Sequence, residues 1–331
     1  MSNVGSTARA ASTEEEVVFS GSGGVPIAGS LILPGWASKD HPVAGLLLIQ
    51  GSGPTDRDGN QPPALKPNLL RHVAEALADE GIASLRYDKR GMYANHDSLP
   101  AKQDELSSFF SWPALVGDAR AALAFLANQS AVVSDWVGVF GHSEGGLIGL
   151  DLSGGDQEPR PKVLVLASTP GRPIGQVIHD QLSALLEQQQ ATAQQREFFL
   201  ATDARIQSEI LTTGEVPFDA PSGLAALYPS YLGPFLKDEL ALDPVALATR
   251  SKCPLLVING TADSQVSAVR DAAQFSLALR SRTDVSEVFT PAGVSHNLKT
   301  VTSDSDPGFD GPLASDLPPL KWSSEYHRMA I

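Results

Sequence analysis

An α/β fold with a mainly parallel sheet, interrupted by a helical insertion, is what this chain predicts, and three features predict it. Short apolar runs alternate with longer segments of helical periodicity, the pattern of successive strand–helix–strand units. The run Leu46-Leu47-Leu48-Ile49 is apolar without alternation, as a strand covered on both faces requires. Between about 172 and 250 strand-like runs stop while spaced apolar residues continue.

Taken in order, residues 1–14 are rich in Ser, Ala, Thr and Glu and read as a disordered tail. The α/β core is expected over 15–171 and 251–331, with a helical cap over 172–250. Residues 17–19 and 27–33 bracket Gly21-Ser22-Gly23-Gly24 and read as an opening hairpin. The strand at 46–49 follows. Leu69, Val73 and Leu77 recur at helical spacing over 67–80, and Gly81 ends that helix before a strand at 82–86. A helix at 118–128, a strand at 136–140, a helix at 144–152 and a strand at 163–167 complete the first part. In the insertion Ile174, Ile178, Leu182 and Leu185 make one stripe, and Phe199, Ile206 and Ile210 belong to a second. The alternation resumes with a strand at 255–258, a helix near 268–279 and a strand at 285–289.

Composition narrows the function. A formal net charge of −14 over 331 residues argues against nucleic acid or anionic membrane surfaces as partners. Cys253 is the one cysteine, so no internal disulfide forms, and its place at a strand entrance reads as structural. The first residues lack the apolar core of a secretion signal and no apolar run is long enough to span a bilayer. A cytoplasmic protein without membrane insertion is the expectation. Chain association is left open, a homodimer being compatible with the sequence. No H-E-x-x-H, Cys/His cluster or phosphate-binding P-loop occurs, so neither metal nor cofactor is expected.

Gly141-His142-Ser143-Glu144-Gly145 matches G-x-S-x-G, with an apolar run before it and a helical pattern after it. Such a turn holds a serine in a strained conformation at a strand–helix junction, and the flanking glycines remove side chains that would clash there. Ser143 is therefore the candidate nucleophile. His142 reads as a packed, hydrogen-bonded histidine, and only the backbone N–H of Glu144 is needed, with its carboxylate turned away.

A serine hydroxyl needs a neighbour to accept its proton. Of seven histidines, His296 in Gly293-Val294-Ser295-His296-Asn297 sits in a loop after the last strand, where the chain order nucleophile, acid, base places the base. Asp263, after the strand and turn Leu256-Val257-Ile258-Asn259-Gly260, is the candidate acid, with a helix N-cap as its rival reading. The turn Gln50-Gly51-Ser52-Gly53 can supply a backbone N–H to a developing oxyanion. Ser52 and Glu144 are the expected donors, and Gly51 and Gly53 give the turn its freedom beside the substrate. Asp56-Arg57-Asp58, Asp88 and Arg90 read as ion pairs bracing these loops.

Together, Gly51 to Gly59, Arg86-Tyr87-Asp88-Lys89-Arg90-Gly91, Gly141 to Gly146, Gly260 to Val266 and Ser295-His296-Asn297-Leu298-Lys299 resemble bacterial serine carboxylesterases of the α/β-hydrolase superfamily. The resemblance covers most of 25–170 and 250–300. It implies a mostly parallel eight-stranded sheet with an antiparallel second strand, a helical cap after strand six, and hydrolysis of a small-molecule ester without a cofactor. Gln50 departs from the branch, where many relatives carry His. Leu227, Tyr228, Tyr231 and Phe235 of the cap are expected at the substrate pocket or in the packing of cap on core. A thioesterase, an aminopeptidase or a non-catalytic ligand receptor on the same fold is also compatible with these residues.

Overall fold

Strands β1 (Thr13–Ser20) and β2 (Pro26–Leu33) form the expected hairpin, with Ser20 opposite Pro26 and Thr13 opposite Leu33. The computed structural model describes residues 11–303, 306–315 and 317. Thr13 and Glu14, assigned by the sequence to the tail, thus open β1; residues 1–10 lie outside the described part. The reason is cross-strand pairing: β1 is exposed along most of its length, so nothing in its own pattern marks its start.

The other strands are β3 (Val43–Ile49), β4 (Ala83–Tyr87), β5 (Val132–His142), β6 (Leu164–Ala167), β7 (Leu255–Ile258) and β8 (Glu287–Phe289). They join β1 and β2 in one 8-stranded sheet, ordered β1-β2-β4-β3-β5-β6-β7-β8. β2 runs antiparallel to both neighbours, and the pairs from β4 to β8 are parallel. Strand β5 begins before the expected 136 because Val132 pairs with Val43, although Ser134 and Asp135 between them are exposed.

The continuous apolar runs have a direct cause. Leu47 and Ile49 face one buried cluster and Leu46 and Leu48 the other; Leu255 and Val257 are divided from Leu256 and Ile258 in the same way. Side chains alternate across a strand, so a core on each face demands apolar residues at every position. Helix α1 (Leu69–Asp79) covers one face with Leu69, Leu70, Val73 and Leu77.

The short α2 (Leu106–Phe109) leads into α3 (Trp112–Ala127), and α3 with α4 (Glu144–Gly154) covers the opposite face. Helix α3 starts before the expected 118 because Ser111 is extended and Pro113 occupies the first turn, where its missing N–H costs nothing. Between β6 and β7 lie α5 (Ile174–Gln188), α6 (Ala193–Thr213), α7 (Gly233–Leu240) and α8 (Pro244–Arg250). Their buried residues, Leu182, Ile206, Phe235 and Leu247 among them, join the same cluster as Leu47 and Val139 of the sheet. A π-helical turn, Ala268–Ala272, precedes α9 (Ala273–Leu279).

Candidate active site

Ser143 stands between the last residue of β5 and the first of α4, with φ 54° and ψ −122°. This is a costly conformation for a residue with a side chain, and it lifts the hydroxyl out of the line of both elements. The surroundings enforce it. A Cβ on Gly145 would come within 2.3 Å of the Ile49 carbonyl oxygen, and one on Gly141 within 2.4 Å of the Gly145 carbonyl oxygen. Strand β3, β5 and the first turn of α4 therefore close on one another only through glycine.

The loops after β7 and β8 bring Asp263 and His296 together. His296 Nδ1 lies 2.9 Å from Asp263 Oδ2 and 3.1 Å from Oδ1, and both residues are buried. Burial by itself would raise the Asp263 carboxyl. The neighbouring His296, its ring hydrogen bond and the N–H groups of Val266 and Gln265 outweigh that and hold the carboxyl below its usual range. The helix N-cap reading of Asp263 does not hold: Ser267 caps the helical turn that follows, and Asp263 accepts its two N–H groups within the loop before it. Asn259 Nδ2 adds a third donor at 3.1 Å. With the carboxylate on Nδ1, the Nε2 atom of His296 is left as the acceptor.

His142 is packed and hydrogen-bonded, as read from the sequence. Its Nε2 is 2.9 Å from the backbone oxygen of His296, and the two rings are 4.7 Å apart. Burial, followed by the His296 charge, pushes its pKa down to about 3. His142 is therefore a neutral tether that donates Nε2–H and fixes the loop carrying His296.

The loop after β3 lies against the serine: a Cβ on Gly51 would stand 3.2 Å from Ser143 Cβ. Among the described residues, the N–H groups of Ser52 and Glu144 meet no protein acceptor. The Ser52 carbonyl is occupied, by Thr55 Oγ1 at 2.8 Å and Gln61 Nε2 at 3.2 Å. Asp56 accepts from the N–H groups of Asp58 and Asn60, and Arg57 pairs with Asp88 at 2.9 Å, so this stretch braces the loop. Arg90 is held by Asp118 at 2.6 Å.

One residue was given no role in the sequence. Lys89 Nζ reaches the Gly51 carbonyl at 2.8 Å, that of Gly53 at 3.3 Å and Glu144 Oε1 at 3.0 Å. It ties the loop after β3 to the residue following Ser143, and its place between Asp88 and Arg90 in the 86–91 motif was the signal available. The Glu144 carboxylate is turned to this lysine, away from its own N–H. Gln50 is buried and donates to the Tyr87 carbonyl at 3.0 Å.

The four aromatic and apolar residues between β6 and β7 are placed differently from one another. Phe235 packs on Trp112 and Tyr231 on Phe110, each pair with ring centroids 5.8 Å apart. Tyr228 is buried, its hydroxyl bonded to Asp203 at 2.5 Å and to Gln207 at 3.2 Å. Leu227 is exposed. Cys253 is buried beside β7 and its thiol is pushed up to about 11 by burial, so it is inert. No helix among the described residues is long and apolar enough to cross a membrane.

This sheet order, with the strained serine after β5 and the His–Asp pair after β7 and β8, defines an α/β-hydrolase fold. No protein-family model and no curated sequence matches the chain. Among solved structures it is similar to the esterase domain of a Rhodothermus marinus protein (19% identity, TM-score 0.53, covering 90% of this chain and 94% of that one). It is likewise similar to a Pyrococcus furiosus esterase (16% identity, TM-score 0.53, covering 96% and 90%). A Mycobacterium tuberculosis puromycin-hydrolyzing peptidase is similar over 86% of this chain (18% identity, TM-score 0.55), which spans 37% of the peptidase's length.

Proposed function

We propose that the protein is a serine hydrolase that cleaves carboxylic esters through an acyl-enzyme, with Ser143 as nucleophile, His296 as general base and Asp263 as its orienting acid. The observation that carries this reading is the buried His296–Asp263 pair, 2.9 Å apart, on the loops leaving two adjacent parallel strands; support comes from the positive φ of Ser143 and from the packing of its neighbour His142 on the His296 ring. That the similar structures include esterases and a peptidase supports the same chemistry.

In this reaction His296 Nε2 takes the Ser143 proton as Oγ attacks the ester carbonyl. The N–H groups of Ser52 and Glu144 receive the oxyanion, each donor being worth about 10² to 10³ in rate. The imidazolium is stabilised by Asp263 and returns its proton to the departing alcohol. Water, deprotonated by the same ring, then releases the acid. Lys89 holds the two donor segments in register, so the hole is formed before substrate arrives. Helices α5 to α8 act as a cap, with Tyr231 and Phe235 walling the pocket, Tyr228 bracing the cap from within, and Leu227 at its rim.

The test is covalent labelling by a fluorophosphonate probe together with turnover of nitrophenyl esters of two to twelve carbons, the range that brackets small to medium acyl groups. Labelling and turnover are expected in the native protein and neither in Ser143→Ala, a loss of about 10⁴ to 10⁶ in kcat. Turnover that survives in Ser143→Ala overturns the assignment. Matching thioesters and amino-acid anilides in the same assay separate an esterase from a thioesterase or aminopeptidase.

A further inference from the structure

Glu239 lies in α7, four residues after Phe235 and on the same face of the helix. That face looks inward, because Phe235 packs on Trp112, whose indole N–H in turn bonds Asp151 of α4 at 2.8 Å. Helix α4 begins at Glu144, next to the serine. Glu239 is 5% exposed, and among the described residues its carboxyl takes no hydrogen bond and no ion pair. The charged groups that act on it are Glu144 and Lys89.

The other charges of the neighbourhood are already matched. Lys89 is bound by Glu144 and two carbonyls, Arg90 by Asp118, and Asp203 of α6 by Tyr228, His179 and Gln207. Lys237, on α7 itself, points to the Thr212 carbonyl at the surface. Among the described residues of this neighbourhood, the Glu239 carboxyl is left without a cation at ion-pair distance. Burial, followed by the negative charge of Glu144, raises its pKa well above the ordinary value. A buried acid without a partner costs stability and supplies no packing that an apolar residue would not. A ligand cation is the partner that would complete it.

We propose that Glu239 receives a primary ammonium group of the substrate, so that the ester cleaved by this protein carries a free amine. The inference rests on the serine-hydrolase reading and names its substrate class. The ammonium pairs with the Glu239 carboxylate, a cationic partner that the described part of the protein does not itself bring within ion-pair distance. Glu239 lies within the electrostatic reach of Glu144, the residue after the nucleophile, and of Lys89 on the loop after β4, and the amine it receives belongs to either the acyl or the alcohol side of the scissile bond.

Two substrate pairs test this and separate the two sides: alanine nitrophenyl ester against its N-acetyl form, and aminopropyl acetate against butyl acetate. At pH 8, kcat/KM is expected to favour the amine in one pair by about ten- to a hundredfold, and the ratio is expected to fall to about one in Glu239→Gln. Gln has the shape of the neutral acid, and a thermal melt checks that the variant folds. Ratios near one for both pairs, or a preference that survives in Glu239→Gln, overturn the proposal while leaving the esterase standing. Calorimetry on Ser143→Ala judges it even if no ester is turned over. Alaninamide or propylammonium is expected to bind, and not to bind the Ser143→Ala, Glu239→Gln protein. Absence of binding to the first protein also overturns it.

Discussion

Asp263 and His142 act on the same histidine from opposite sides, one on its ring and one on its backbone, and each makes a separate prediction. Asp263→Asn keeps the shape but exchanges an acceptor for an amide that can no longer hold the Nδ1–H tautomer. A fall of about 10⁴ in kcat is expected with little change in the melting temperature. Steady-state kinetics beside a thermal melt would check it, and a fall below tenfold would remove Asp263 from the mechanism. For His142 the folded pKa is depressed to about 3 from 6.5. Between those values the unfolded chain binds a proton that the folded one refuses, so stability rises with pH across the window and is lost on acidification. His142→Asn keeps a donor without the titration, and its melting temperature is expected to fall less steeply from pH 6.5 to 4. An unchanged slope would show that another group governs the acid limb.

At the scale of elements, the β5–α4 junction and the loop after β3 depend on close approach. Gly145→Ala would drive a methyl group to 2.3 Å from the Ile49 carbonyl, backbone that cannot turn aside. A destabilisation of about 3 kcal/mol or more is expected in denaturant unfolding. A value under about 1 kcal/mol would mean that β3 can yield. Lys89→Met removes one side of a buried ion pair and two carbonyl contacts. It is expected to cost about 3 to 5 kcal/mol in stability, with a further loss in kcat as the Gly51 loop drifts from the serine. Full kcat in a folded Lys89→Met protein would mean that the loop holds itself.

Across the whole molecule, the helices between β6 and β7 share one apolar cluster with the sheet and, among the described residues, have no separate core. Trp112 sits on the boundary, packed on Phe235 from one side and bonded to Asp151 on the other. Denaturant transitions followed by tryptophan fluorescence and by far-ultraviolet circular dichroism are therefore expected to coincide, as one cooperative unit. Two separated transitions would show that the helices unfold on their own.

Much of this was legible because the relevant physics is local. The run of four apolar residues at 46–49 marks a strand with a core on each face. G-x-S-x-G marks a turn that only small flanking residues permit, and Asp263 and His296 could be placed because each follows a strand in the expected chain order. What stayed hidden depends on partners far along the chain. The start of β1 is set by pairing with β2, the reach of β5 by Val43, and the roles of Lys89 and Glu239 by segments more than thirty residues away. The sequence alone determined an α/β core with a helical insertion and the candidate side chains, since periodicity and turn geometry are written within a few residues, while the α/β-hydrolase architecture followed from the resemblance of its loops. The tertiary structure alone decided how those side chains are held and which buried charge lacks a partner, because the field and packing around a group are set by whatever folds against it.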